Sequence, residues 1–99
     1  MAHRRGRYLG VVLDDDVETT SSRLQALGLA DTRALEFASA AIQYAQEEEK
    51  ELTRQLMPLS NWPGHVCLRR HIARPRDESW LMLRFDAQYH WTLDAVFVV

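Results

Sequence analysis

The spacing of apolar residues changes once along this chain, and the change falls at Pro58. Between Val17 and Leu56 apolar residues recur every three or four positions; beyond Pro58 they recur at every second position. The first period demands a helix with one buried face, the second a strand with one buried face. A helical block followed by a strand block predicts an α+β fold, with helices packed on an antiparallel sheet. Ninety-nine residues, 46% of them apolar, suffice for one small core, so residues 1–99 are read as a single domain.

One further strand precedes the helices. Residues 7–13, Arg-Tyr-Leu-Gly-Val-Val-Leu, are rich in β-formers and are stopped by Asp14-Asp15-Asp16. Asp15 with Glu18 three positions on has the form of a capping box, and Gly28 supplies the C-terminal stop of a first helix. Asp31 or Thr32 is the expected cap of a second helix. Its stripe runs Leu35, Ala38, Ile42, Ala45, Leu52 and Leu56 and ends before Pro58. Within it the run Glu47-Glu48-Glu49-Lys50-Glu51 reads as a solvated face, with Glu47–Lys50 and Glu51–Arg54 spaced for pairing. Strands are expected at 65–72, 80–85 and 91–98, a three-stranded C-terminal meander with turns at 73–79 and 86–90. The last strand is apolar on both faces, which places it in the middle of a sheet.

Charge is distributed unevenly. Residues 1–13 carry three arginines and no acid. Residues 14–57 carry ten acids against four bases, and residues 58–99 five arginines against four acids. Eleven of the twelve bases are arginine, the side chain best shaped for forked phosphate contacts, although GC-rich coding would give the same bias. The basic N-terminus lacks an apolar segment long enough for export, and no run approaches the ~20 residues of a membrane span. Cys67 is the single cysteine, which precludes an intrachain disulfide and fits a reducing cytoplasm.

The C-terminal strands sort their side chains by face. Val66, Leu68, Arg70 and Ile72 share one face of their strand, and His65, Cys67, Arg69 and His71 the other; Leu81, Leu83 and Phe85 oppose Trp80, Met82 and Arg84. With the helices over the apolar sides, the free face is expected to present arginine, histidine and tryptophan together. Such a surface suits single-stranded nucleic acid, because arginine neutralises phosphate and rings stack on bases. Arg69, Arg74, Arg76, Trp80 and Arg84 are its candidate contacts. The same pattern also describes a solvated face, or one packed on a second subunit. His65 and His71 stand roughly 20 Å apart on an extended strand, too far to share one zinc ion. A mid-strand cysteine such as Cys67 is more often inert packing than a nucleophile. The chain carries no P-loop, dinucleotide fingerprint or paired-carboxylate motif, so no cofactor is expected.

The order of elements, with Tyr8-Leu9-Gly10-Val11-Val12-Leu13 entering an acidic-capped helix, Leu68-Arg69-Arg70-His71-Ile72 and Trp80-Leu81-Met82-Leu83-Arg84-Phe85-Asp86, resembles the RelE/ParE/HigB toxin superfamily. The resemblance implies a toxin of a toxin–antitoxin pair acting on mRNA at the ribosome, with a small antitoxin protein as partner. By position, Arg69 or Arg70 would match the arginine of that family's second strand. Arg84 lies on the following strand, where the family's usual arginine position is Leu81 here. Arg69, Arg70 and Arg84 would then hold phosphate charge while His71 or His90 takes the 2′-hydroxyl proton. Fainter is the similarity of His90-Trp91-Thr92-Leu93 and His65-Val66-Cys67-Leu68 to the paired elements of two-histidine phosphoesterases. The rival to an RNA-directed toxin is a non-enzymatic interaction module that dimerises through its last strand or its second helix.

Overall fold

The computed structural model describes residues 5–74 and 77–98, with the side chains of Arg5 and Arg74 left out. The chain runs β1 (Arg5–Val12), α1 (Val17–Ala26), α2 (Asp31–Arg54), a 3-10 turn (Leu59–Asn61), β2 (Val66–Arg74), β3 (Asp77–Phe85) and β4 (Trp91–Val98). The α+β class and two helices are as expected. The sheet differs in extent. The meander β2–β3–β4 is not a sheet by itself: β1 pairs antiparallel with β4, giving one four-stranded antiparallel sheet of order β1-β4-β3-β2. As its apolar composition requires, β4 is interior. The β2 and β3 strands run further than expected, so the connection predicted at 73–79 shrinks, with Arg74 opposite Asp77.

Both helices pack on one side of the sheet. The apolar centre comprises Leu24 of α1, Ala34, Phe37, Ala38, Ala41, Ala45 and Leu52 of α2, and Val11, Leu81, Leu83, Phe85, Trp91, Leu93 and Val96 of the sheet. Trp62, Phe85 and Trp91 meet edge to face at its lower end, with centroids 5.4 and 5.1 Å from Phe85. Small alanines along α2 let a helix of 24 residues, about 36 Å at 1.5 Å per residue, lie close along the strands.

Helix ends differ from expectation in detail. The α1 cap is Asp16, whose Oδ2 accepts from the Thr19 N–H at 3.2 Å, rather than Asp15. The α2 cap is Ala30, which lends no side-chain bond; Asp31 becomes the first helical residue, where its carboxylate still favours the positive helix end. Both helices finish with the paired 5→2 and 6→1 backbone bonds of a Schellman turn. At the first, Gly28 takes the left-handed position with φ +96°; at the second, Leu56 takes it with φ 58° and stands 89% exposed. Leu56 therefore leaves the stripe it was assigned to, as does Leu35, which is also exposed.

Candidate functional site

The register of β2 on β3 decides where the candidate residues point. Cys67 lies opposite Leu83, Arg69 opposite Leu81 and His71 opposite Ser79. Leu81, Leu83 and Ser79 are all buried beneath the helices, so Cys67, Arg69 and His71 face the helices too. The expected faces of β2 are thus inverted: the histidine, cysteine and arginine row is covered, and Val66, Leu68, Arg70 and Ile72 are open. For β3 the expected faces hold, with Leu81, Leu83 and Phe85 inside and Trp80, Met82 and Arg84 outside.

The inversion has a partner on α2. Glu48 is not a solvated residue of the acidic run; its side chain is only 13% exposed. Its Oε1 lies 2.8 Å from His65 Nε2, and its Oε2 accepts from the Cys67 thiol at 3.2 Å and from Arg69 Nη2 at 2.8 Å. Arg69 Nε donates to Cys67 Sγ at 3.2 Å, and Arg69 also lies 3.9 Å from Glu47. Burial pushes the Glu48 pKa up, but the hydrogen bonds from His65, Cys67 and Arg69 together outweigh it and hold the carboxyl below its ordinary value. Burial raises the Cys67 thiol, and the bond from Arg69 only partly opposes it. A buried thiol raised in this way is a poor nucleophile at neutral pH. Glu49 is occupied as well, accepting from Trp91 Nε1 at 2.9 Å. In the sequence Glu48 stands three residues after Ala45 and four before Leu52, both buried; that spacing was the signal that it faces the sheet.

His71 lies further along the covered face. Its Nδ1 is 3.3 Å from the Tyr44 hydroxyl, and Phe37 and Tyr44 approach its ring edge-on at 6.3 Å. Its buried Nε2 has no hydrogen-bond partner. An open groove of about 620 Å³ between α2 and the outer edge of β2 passes this residue, lined also by Leu35, Ser39, Tyr44 and Ile72. His90 sits elsewhere, in a recess of about 280 Å³ with Asp14, Asp15 and Glu49.

The sheet therefore separates the proposed catalytic set. Arg69 and His71 lie on the helix side, Arg70 and Arg84 on the open side. Each described arginine among them carries a carboxylate: Arg70 Nη2 is 2.9 Å from Glu78 and Arg84 Nε 3.2 Å from Asp94. Arg74 ends β2 and its side chain lies outside what is described, as does the whole of Arg76. Among the described residues no group of three or more His, Cys, Asp or Glu is placed to hold a metal ion, and no helix is long and apolar enough to cross a membrane.

The open face is the other distinctive surface. Four antiparallel rows cross it: Val12, Thr92, Arg84 and Val66; Tyr8, Ala95, Met82 and Leu68; Gly6, Phe97, Trp80 and Arg70; then Glu78 and Ile72. Two irregularities shape it. Asp94 is the extra residue where β4 slips against β3, which brings its carboxylate to Arg84, and β1 slips between Tyr8 and Val11 through Gly10 at φ +61°. A Cβ on Gly6 would come 2.6 Å from the Phe97 ring, so the missing side chain is what lets that ring lie flat over β1. Tyr8 is 78% and Leu68 48% exposed, with Val66 and Ile72 similarly open. No protein-family model, no curated protein and no solved structure matches this chain.

Proposed function

We propose that this protein is a non-enzymatic interaction module whose binding surface is the open face of its sheet. The observation that carries this reading is a continuous apolar strip on a face no helix covers, with Tyr8 and Leu68 exposed and Phe97, Trp80 and Met82 half-buried between them. A small water-soluble domain has no thermodynamic reason to keep such a strip in water, and patches of this kind mark protein contacts. The features needed for RNA cleavage are dispersed by comparison. The phosphate-binding arginines would have to leave Glu48, Glu78 and Asp94, and His71 stands on the opposite side of the sheet from Arg70 and Arg84.

A second reading keeps the RelE/ParE/HigB resemblance and makes the same face an RNA platform. It is favoured by Trp80 lying directly opposite Arg70 on the strand and face that also carry Arg84, a grouping of rings and cations that single strands use. An antitoxin protein would then be the natural occupant of the apolar strip.

One pair of measurements separates the two. The protein is expressed alone in a bacterial host beside Arg69→Ala/Arg70→Ala, and purified protein is titrated with a labelled single-stranded RNA. Unimpaired growth and no saturable RNA binding at physiological salt are expected. Growth arrest that the double substitution relieves, or RNA binding lost in Arg70→Ala/Arg84→Ala, would transfer the assignment to the toxin-like reading.

A further inference from the structure

We infer that the occupant of the open face is a second copy of this chain, packed sheet on sheet about a twofold axis parallel to the strands and lying over the seam between β3 and β4. This rests on the reading of that face as a protein-binding surface and goes beyond it by naming the partner. The seam pairs Trp80 with Phe97, Met82 with Ala95 and Arg84 with Thr92, with Asp94 bulged beside Arg84. A twofold rotation about the seam sets β3 of one copy over β4 of the other. Trp80 then meets the second copy's Phe97, ring on ring. Met82 comes to the centre, at the height of the second copy's Ala95, which its own chain already buries. Arg84 meets its Asp94. At the flanks, Tyr8 on β1 comes over Leu68 on β2 of the second copy, at the same height along the strands. Every contact occurs twice, as a closed isologous interface requires.

Charge points to the same occupant. The face carries Arg70 and Arg84 against Glu78 and Asp94, two cations and two anions already in pairs. Among the described side chains this leaves no net charge with which to draw a polyanion or a strongly basic or acidic peptide. Against its own copy Arg84 finds a second carboxylate in Asp94 and Asp94 a second arginine, while Arg70 comes over Gly6 of the second copy's β1 and keeps its own Glu78. Area is also sufficient. Four strands about 4.8 Å apart and seven residues long at about 3.3 Å each present roughly 450 Å² in projection. Side-chain relief brings this to on the order of 1,000 Å² buried for two copies, the lower end of specific interfaces. The expected dimer is therefore reversible and concentration-dependent.

Sedimentation equilibrium over a concentration series tests this on the whole chain. Wild type should approach twice its 11.5 kDa as concentration rises. Met82→Glu should weaken association by about 100-fold or more, because it sets two carboxylates against an apolar centre. The decisive test uses charge reversal. Arg84→Glu and Asp94→Arg should each weaken self-association about 10-fold. An equimolar mixture of the two should associate as wild type does, since a heterodimer restores opposite charges at both contacts while leaving like charges facing each other within each chain. Circular dichroism melts check that each variant folds, and Leu68→Lys, at an exposed position, replaces Met82→Glu if that one does not. A wild type that stays monomeric, a dimer indifferent to Met82→Glu and Leu68→Lys, or a mixture no tighter than its parts overturns the self-pairing. A monomer that binds no RNA leaves the binding-surface reading standing; a chain that binds RNA through this face removes both.

Discussion

The two faces of this sheet are built from the same strands, yet they solve opposite problems. Beneath the helices, β3 and β4 contribute leucines with no exposed surface, while β2 contributes Cys67, Arg69 and His71. On the open side the polarity is exchanged: β2 offers Val66, Leu68 and Ile72 to solvent. An edge strand lying under a glutamate-bearing stretch of helix can be polar inward, because Glu48 satisfies Cys67 and Arg69 and Tyr44 reaches His71 Nδ1, leaving only His71 Nε2 without a partner. An outward apolar face has no such internal partner and calls for an external one. The comparison teaches that the polar row of β2 is held by partners within the chain and the apolar row is not.

The sharpest way to break this comparison is to truncate one leucine on each face. Leu83→Ala, on the fully buried side, should cost about 2–5 kcal/mol in urea denaturation. Leu68→Ala, on the neighbouring strand but half exposed, should cost less than about 1 kcal/mol. Equal costs would mean that the open face is as structural as the covered one.

Glu48 gives the next largest effect. Glu48→Ala leaves Arg69 part-buried without its carboxylate and should cost about 2 kcal/mol. The pH dependence carries a defined sign. A carboxyl whose folded pKa lies below its ordinary 4.5 contributes stability that is complete above that value and disappears as pH falls through the lowered folded pKa. Wild type should therefore lose stability below pH 4.5 more steeply than Glu48→Gln, measured by thermal melts across an acid series. Parallel curves would show that the cluster is not coupled to folding.

Gly6 sharpens the comparison from the other side. Gly6→Ala forces the Phe97 ring off β1 and should cost about 1 kcal/mol, while weakening self-association by more than its stability loss accounts for. A variant equally dimeric and merely less stable would place Phe97 outside the interface.

Most of the architecture was legible in the residues. The change of period at Pro58 separated helices from meander, Gly28 marked the end of α1, and the apolar-on-both-faces run of β4 marked an interior strand. The pairing of β1 with β4 was not legible, because a strand's pattern says which side is buried but not which neighbour it takes. Nor was the orientation of β2. Its apolar residues Val66, Leu68 and Ile72 suggested burial, but the register with Leu81 and Leu83 ruled otherwise, and only Glu48 at i+3 from Ala45 hinted at a polar seat beneath the helix. The candidate site suffered accordingly. Trp80, Arg70 and Arg84 share a face, whereas Arg69 and His71, which flank Arg70 in sequence, belong to another.

The smallest expected effect is the most diagnostic of that division. Arg69 and Arg84 are both strand arginines on a carboxylate, at 2.8 and 3.2 Å, and a count of ion pairs would treat them alike. Their surroundings differ. Arg69 also holds the Cys67 sulfur and shares a carboxylate that is shielded from water, so its loss strands Glu48 in a partly apolar setting. Arg84 and Asp94 stand at the surface of a monomer, where water and salt screen them and such pairs contribute about 0–1 kcal/mol. Arg84→Ala should thus change monomer stability by less than about 0.5 kcal/mol, against about 2 kcal/mol for Arg69→Ala, when both are measured by denaturant titration below the association range. At higher protein concentration the order should change for association: Arg84→Ala should weaken it and Arg69→Ala, once folded, should not. An arginine that matters little to its own fold and more to assembly is what an interface residue on an open sheet must be.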